Sequence, residues 1–157
     1  PHLDPLPSDI RQILSEAWTQ VSGVTCGKQL GMTLEDTDLD LHCETDHVCM
    51  LHVFRNILEN AVSACGDVVN ISAAWSETNL DRSPALQISI SDNGPGFSPE
   101  QRRKAFQPFF TTKLTGTGLG LVICRQIVER HGGRIDISEN SVNGATVLIT
   151  LPRSIKR

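Results

Sequence analysis

The order in which hydrophobic periodicity changes along the chain is its strongest constraint on fold. "PSDIRQILSEAWTQV" reads as a helix that Ser8 or Asp9 can cap, with Ile10, Ile13, Leu14 and Ala17 on one face. "KQLGMTLEDTDLDLHCE" alternates partially and is broken by a polar stretch near Asp36–Asp38, which predicts two short strands at about 28–35 and 39–43. Asp46 then caps a long helix, "HVCMLHVFRNILENAVSAC". "DVVNISAAWSE" and "PALQISISD" are two strands joined as a hairpin through the polar loop "TNLDRS". A long connection punctuated by Gly and Pro follows. Within it, Ser98-Pro99-Glu100-Gln101 has the form of a capping box and predicts a short helix at about 99–105. "LGLVICRQIVERHGG" is a helix stopped by two glycines, and "RIDISEN" and "GATVLITLP" close the chain as a hairpin. Strands come in pairs and helices fall between them. That order predicts a two-layer α+β sandwich and not a doubly wound sheet, which would alternate single strands with single helices.

The 157 residues suffice for one domain with a sizeable core. Hydrophobic residues make up 39% and charged residues 20%, so the chain should be globular. A net charge of -4 argues against a broad phosphate-binding face, and the scarcity of aromatics against base-stacking platforms, so no nucleic-acid partner is expected. No apolar run approaches the roughly 20 residues of a membrane span. The five cysteines are odd in number and none forms Cys-x-x-Cys, which fits reduced thiols in a cytoplasmic protein. Cys43, His47 and Cys49 lie close in sequence, but His47 and Cys49 sit on different faces of a predicted helix. Buried apolar cysteine fits them better than zinc. The first residue, Pro1, suggests a piece of a longer chain.

Three stretches can carry chemistry. On the long helix, at 100° per residue, Met50, Val53, Phe54, Ile57, Leu58, Ala61, Ala64 and Cys65 fill one arc. His52, Asn56, Glu59, Asn60 and Ser63 fill the other. Asn56 and Asn60, four apart, stack on one face. A solvated face and a phosphate-side metal site both fit, since an Asn carbonyl is a neutral, hard ligand for Mg²⁺. In "SDNGPGF", Asp92 ends an apolar strand, and Gly94 and Gly96 would let backbone approach a flat ring. For these residues alone, an ordinary strand-to-loop turn is the better explanation. In "FQPFFTTKLTGTGLGL", Gly116, Gly118 and Gly120 open a helix whose free N–H groups favour an anion by roughly 0.3–1 kcal/mol per charge. Lys113 adds a point charge; Thr111, Thr112, Thr115 and Thr117 add hydroxyls; Phe106, Phe109 and Phe110 are apolar weights in a polar loop. The dinucleotide fingerprint and the Walker loop are absent; "GVTCGKQ" is one residue short and ends in Gln.

Taken together, these pieces resemble the catalytic ATP-binding domain of bacterial sensor histidine kinases, in the superfamily shared with gyrase, mismatch-repair ATPases and a heat-shock chaperone. "NILENA" resembles the N box, "DNGPGF" the G1 box, "FQPFFTTK" the F box, "GTGLGL" the G2 box and "NGAT" the G3 region. The lid and F box resemble those of the nitrogen-regulation type. The resemblance runs from about residue 8 to 152. It implies a Bergerat-type fold, a two-layer α/β sandwich with a mixed, mostly antiparallel sheet and a mobile ATP lid over about 97–116. Residues 1–7 would be a linker from an upstream acceptor domain, and 153–157 a tail.

The resemblance also implies roles. Asn60 would bind Mg²⁺ and Asn56 would line the phosphate site of ATP. Asp92 would read the adenine amino group, with Thr146 nearby, and Gly94 and Gly96 would shape the adenine edge. Lys113, with Phe109, Thr111 and Thr112 before the glycines and the backbone of Gly116, Thr117, Gly118, Leu119 and Gly120, would hold the phosphates. Asn56, Asn60 and Lys113 would be the catalytic group. The partners implied are a helical dimerisation and phosphoacceptor domain and, downstream, a response-regulator receiver domain. This segment would be cytoplasmic and make no membrane contact, whether or not the parent kinase is membrane-anchored. Two departures stand out. Ser63 occupies a position where many members carry Lys or Arg. Hydrolytic relatives have a Glu four residues before the metal Asn, and here that residue is Asn56. None of His2, His42, His47, His52 and His131 fits the phosphoacceptor pattern. His131 should serve a helix stop, and His52 should be a rim residue. A non-catalytic nucleotide switch, an anti-sigma-type serine kinase and an ATP-driven clamp are the rival readings.

Overall fold

A computed structural model describes residues 2–24, 27–108, 120–139 and 143–156. Asp9 caps the first helix, Ile10–Ser22 (α1), by accepting from the Arg11 N–H, and α1 buries Ile10, Ile13, Leu14, Ala17 and Val21. Asp46 caps the second, His47–Ala64 (α2), through the Cys49 N–H at 3.1 Å. Both caps satisfy N–H groups that a helix start leaves open. The third, Pro99–Lys104 (α3), carries the expected capping box between Ser98 and Gln101. The fourth is Gly120–Arg130 (α4).

The main sheet is built from Gln29–Leu34 (β2), Val68–Leu80 (β4), Ser83–Ser91 (β5), Thr146–Pro152 (β7) and Arg134–Ile137 (β6), in the order β2-β4-β5-β7-β6. Only β2 and β4 run parallel; the other neighbours are antiparallel. The mixed, mostly antiparallel sheet is therefore as expected. Register places Trp75, Ile88, Ile149 and Ile135 in one row across four strands, all buried. That face carries the alternate apolar residues of each strand and packs with α1, α2 and α4 into one core.

Four expectations need correction. The strand expected at about 39–43 lies at His42–Thr45 (β3) and does not join the main sheet. Asp40 accepts from the His42 N–H at 3.0 Å, an Asx turn that keeps the preceding residues out of a ladder. Its partner is a strand the periodicity did not reveal, Leu6–Asp9 (β1), which begins inside the stretch read as a linker. Four residues containing Pro7 show no pattern to read, and Pro is tolerated on such an edge. The loop expected over "TNLDRS" is a two-residue turn, with Asp81 (φ 50°) and Arg82 (φ 67°) both left-handed. A turn of that hand matches the twist of the flanking strands, so pairing continues to Leu80 and Ser83. Ala64, expected in the apolar arc of α2, is exposed. It lies four residues beyond Asn60, on the asparagine stripe.

The two ends of α2 are tied down by side chains from other elements. Lys28 donates to the Val62 carbonyl at 2.7 Å and to the Cys65 carbonyl at 2.8 Å, closing the C-terminal turn. At the other end, His131 is fully buried. Its Nδ1 bonds the Ile127 carbonyl at 2.8 Å, and its Nε2 accepts the Asp46 N–H at 3.0 Å. Those partners require a neutral ring with the proton on Nδ1. The residue does more than serve the helix stop: it joins the end of α4 to the start of α2. Gly132 (φ 78°) and the Gly133 N–H, which bonds the Val128 carbonyl, complete the stop. Cys43 and Cys124 are also buried; burial pushes their thiols up to about 11 and about 12, so both are neutral core groups. His131→Leu would leave the Asp46 N–H without this acceptor and take from the Ile127 carbonyl its side-chain bond, while the His131 main-chain N–H still reaches that carbonyl. Urea unfolding should show a loss of about 2–4 kcal/mol; a loss below about 0.5 kcal/mol would mean that the link is dispensable.

Candidate nucleotide-binding site

The burial of Met50, Val53, Phe54, Ile57, Leu58 and Ala61 sets the rotation of α2. Asn56 and Asn60 are consequently half-buried on the opposite side, with His52 exposed at the rim. Asn56 donates to the His52 carbonyl at 3.2 Å, which holds its carboxamide along the helix. Its oxygen faces the start of α4: a Cβ on Gly120 would lie 3.3 Å from Asn56 Oδ1. A side chain at this position would press on the Asn56 carboxamide. Glu59 is exposed, and its carboxylate is 3.4 Å from Arg55.

The other end of the stripe meets the loop after β5. A Cβ on Gly94 would lie 3.4 Å from the Ala64 backbone, so this loop rests on the last turn of α2. Residues 56, 60 and 64 thus run from α4 to the loop, about 12 Å at 1.5 Å per residue. Asp92 heads that loop and is half-buried. Its Oδ1 accepts the Gly94 N–H at 2.8 Å and the Ala145 N–H at 3.1 Å, and its own N–H donates to the Ala145 carbonyl at 2.9 Å. Among the described residues, Oδ2 has no hydrogen-bond partner. One carboxylate oxygen is held by backbone and the other remains to accept an amine.

Two left-handed glycines make this packing possible. Gly144 (φ 76°) places its Cα so near Asp92 that a Cβ would fall 2.0 Å from the Asp92 carbonyl oxygen. Gly96 (φ 75°) approaches Gly144 in turn, with 2.6 Å from an added Cβ to the Gly144 carbonyl oxygen. Nearby, burial and then the charge of Asp92 raise the Cys65 thiol above its ordinary value, so it stays neutral beside the site.

Gly120 meets Asn56 at one end of the stripe, Asp92, Gly94 and Gly96 gather at the other, and Asn60 lies between them on α2. Phe109, Thr111, Thr112, Lys113, Gly116, Thr117, Gly118 and Leu119 lie outside the described residues. Phe106 packs against the core, and the Arg125 guanidinium lies 5.8 Å from its ring centre. Thr146 stands opposite Ser91 in the β5–β7 ladder, and the two hydroxyls are 2.8 Å apart. Val147 next to it enters the core, so the Thr146 side chain is on the other face of the sheet from α2. The contact to Asp92 from this strand end is the Ala145 main chain. Sequence reasoning missed it because a backbone N–H leaves no mark in residue type.

Magnesium fits this donor set only in one manner. Among the described residues no three His, Cys, Asp or Glu side chains cluster as ligands. A cation here would rest on an Asn carbonyl, ligand phosphates and water, as Mg²⁺ does at nucleotide sites.

A helical layer with outward asparagines over a mixed sheet, and a strand-end Asp gripped by backbone, define an ATP-binding class of domain. The profile of the histidine kinase-, DNA gyrase B-, and HSP90-like ATPases matches residues 45–155, and the chain belongs to that family. Sensor histidine kinase ZraS of Escherichia coli (strain K12) is 36% identical over 129 residues, covering 82% of this chain and 26% of that protein. Sensor protein FixL of Bradyrhizobium diazoefficiens is 38% identical over 111 residues, covering 68% of this chain and 21% of that one. The chain therefore spans about a quarter of the length of these relatives. The catalytic domain of histidine kinase ThkA, in a nucleotide-free form, superposes with a TM-score of 0.83 at 29% identity, over 97% of both chains. Among the described residues no helix is long and apolar enough to cross a membrane.

Gly144→Ala should push Asp92 from its place while the core stays folded. Nucleotide affinity should fall by about tenfold or more, roughly 1.4 kcal/mol. Titration calorimetry beside a thermal melt checks this, and unchanged affinity would show that Asp92 tolerates displacement.

Proposed function

We propose that this chain binds ATP with Mg²⁺ and is the catalytic domain of a sensor histidine kinase, passing the γ-phosphoryl group to a histidine on a separate helical dimerisation domain. The observation that carries this reading is Asp92, with Oδ1 engaged by two backbone N–H groups and Oδ2 left at one end of the asparagine stripe. That oxygen would accept the adenine amino group, and Gly94 and Gly96 would let the ring lie against backbone. Asn56 and Asn60 would then face the phosphates, with Asn60 as the metal ligand. Lys113, Thr111, Thr112 and the glycines 116–120 would close on the phosphates from the lid side, with Phe109 among the residues that seat the lid. Thr146, bonded to Ser91, would support the strand ends from the far face. Bound Mg²⁺ would neutralise phosphate charge.

In the transfer, an imidazole nitrogen of the acceptor forms the P–N bond as the bond from γ-phosphorus to the ADP oxygen breaks. The imidazole proton leaves to a base on the acceptor domain. This chain's residues supply position and charge neutralisation, which is most of what phosphoryl transfer requires. The phosphohistidine would then serve a response-regulator receiver domain. The similarity to ZraS and FixL, named as sensor proteins, supports that pairing.

Calorimetric titration with a non-hydrolysable ATP analogue, with and without Mg²⁺, tests the site. Binding should require Mg²⁺ for full affinity, prefer adenine over guanine, and weaken by about tenfold or more in Asp92→Asn. Absence of binding by folded protein would overturn the reading. Binding without phosphorylation of a matched acceptor domain would leave a nucleotide switch instead.

Hydrolysis by this chain alone should be slow. Water activation needs a base on the stripe, where Asn56 stands, and Glu59 is turned toward Arg55. Phosphate release without acceptor should run well below the rate of transfer to one; a comparable rate would refute the positioning-only mechanism.

A further inference from the structure

The β4–β5 ladder ends at the pair Ser72–Ser91. Continued by two residues, it would set Asn93 opposite Asn70. The backbone does not continue it. At Asp92 the main chain bonds to the β7 side through Ala145, and the Gly94 N–H turns back to Asp92 Oδ1. The main-chain groups of β4 at residues 68 and 70 would be left open along this edge. The Asn93 side chain fills them: its Oδ1 accepts the Asn70 N–H at 2.8 Å, and its Nδ2 donates to the Val68 carbonyl at 2.9 Å.

We propose that Asn93 is a positioning residue for nucleotide recognition, its carboxamide standing in for a strand on β4 and so aiming the carboxylate of Asp92. The inference rests on the reading of Asp92 as the adenine contact. Asp92 is drawn to β7 by its main chain, and its neighbour Asn93 is drawn to β4 by its side chain. The peptide between them is held from both sides, which sets the direction in which Asp92 Oδ2 points. The task needs a planar group with one acceptor and one donor at strand spacing on a short stem. Asp lacks the donor, Ser offers a single atom, and Gln is one methylene too long. The residue touches no nucleotide in this role, so its effect falls on base selection rather than on phosphate binding.

The test uses the 157-residue chain and compares ADP with GDP, both with Mg²⁺, in the wild type, Asp92→Asn, Asn93→Ala and Asn93→Asp. In the wild type ADP should bind better. Asn93→Ala should lower ADP affinity by about tenfold, the scale of one or two lost hydrogen bonds, and change GDP affinity little. Asn93→Asp keeps the acceptor for Asn70 and should show a smaller loss. Amide exchange should speed up at Asn70, Gly94 and Ala145 in Asn93→Ala, while Ile88 and Ile149 stay protected. Equal losses for ADP and GDP with a lower melting temperature would make Asn93 merely structural and overturn the proposal. So would a failure of both Asn93 variants to fold. A wild type without base preference, or one whose preference survives Asp92→Asn, would fell the Asp92 reading and this inference with it. Loss of preference in Asp92→Asn with preference kept in Asn93→Ala would overturn the inference alone.

Discussion

Everything at the site depends on the rotation of α2 about its own axis. Met50, Val53, Phe54 and Leu58 have no solvent exposure. Burial of each large apolar side chain contributes about 1.5–3 kcal/mol relative to exposure. Turning the helix to hide Asn56 and Asn60 would forfeit several such terms at once and press two amides against apolar side chains. The asparagines therefore face outward because the core leaves them no other direction. Axial position is set separately, by Asp46 and His131 at the start of the helix and Lys28 at its end. A helix held in rotation and translation is a rigid rail on which two amides keep a constant spacing.

Around that rail, the loop of Asp92 is held mainly by backbone. The oxygen of Asp92 that points inward is held by two main-chain N–H groups. Gly94, Gly96, Gly120 and Gly144 each stand where a Cβ would meet another chain segment at 3.4 Å or less. Hydrogen bonds from main-chain donors to a charged group are among the stronger ones, and they lose little conformational entropy because the donors are already placed. The carboxylate is thus pre-set before any ligand arrives.

The side chains of the stripe explain what the site lacks. The stripe offers neutral amides where a hydrolytic site would offer a carboxylate. Glu59, next to Asn60, is paired with Arg55 instead. A neutral stripe would not repel a polyphosphate, as a carboxylate would, and would leave a bound cation to take its charge balance from the ligand. On the function proposed above, such a site would suit transfer to an acceptor that brings its own nucleophile and would suit hydrolysis poorly.

The sequence by itself determined the element order from α1 onward, the caps at Asp46 and Ser98, most of the apolar arc of α2 and the outward asparagines, and it narrowed the first cap to Ser8 or Asp9. Each of these is a matter of short-range spacing, and 3.6 or 2 residues per repeat can be read without knowing the partners. It also marked Asp92 and the glycines, because a strand that ends in Asp-Asn-Gly is punctuated locally. Tertiary structure decided the rest. β1 became a strand only because β3 lay beside it, and four residues with a proline carry no period of their own. His131 acquired its second partner from a residue 85 positions away, across a helix pair. Thr146 and Ala145 exchanged the parts their types suggested, since strand alternation sends the hydroxyl to one face and leaves the neighbouring N–H against Asp92. Main-chain contacts between distant segments depend on where the backbone goes and scarcely on which side chain it bears, so they could be known only once the chain had folded.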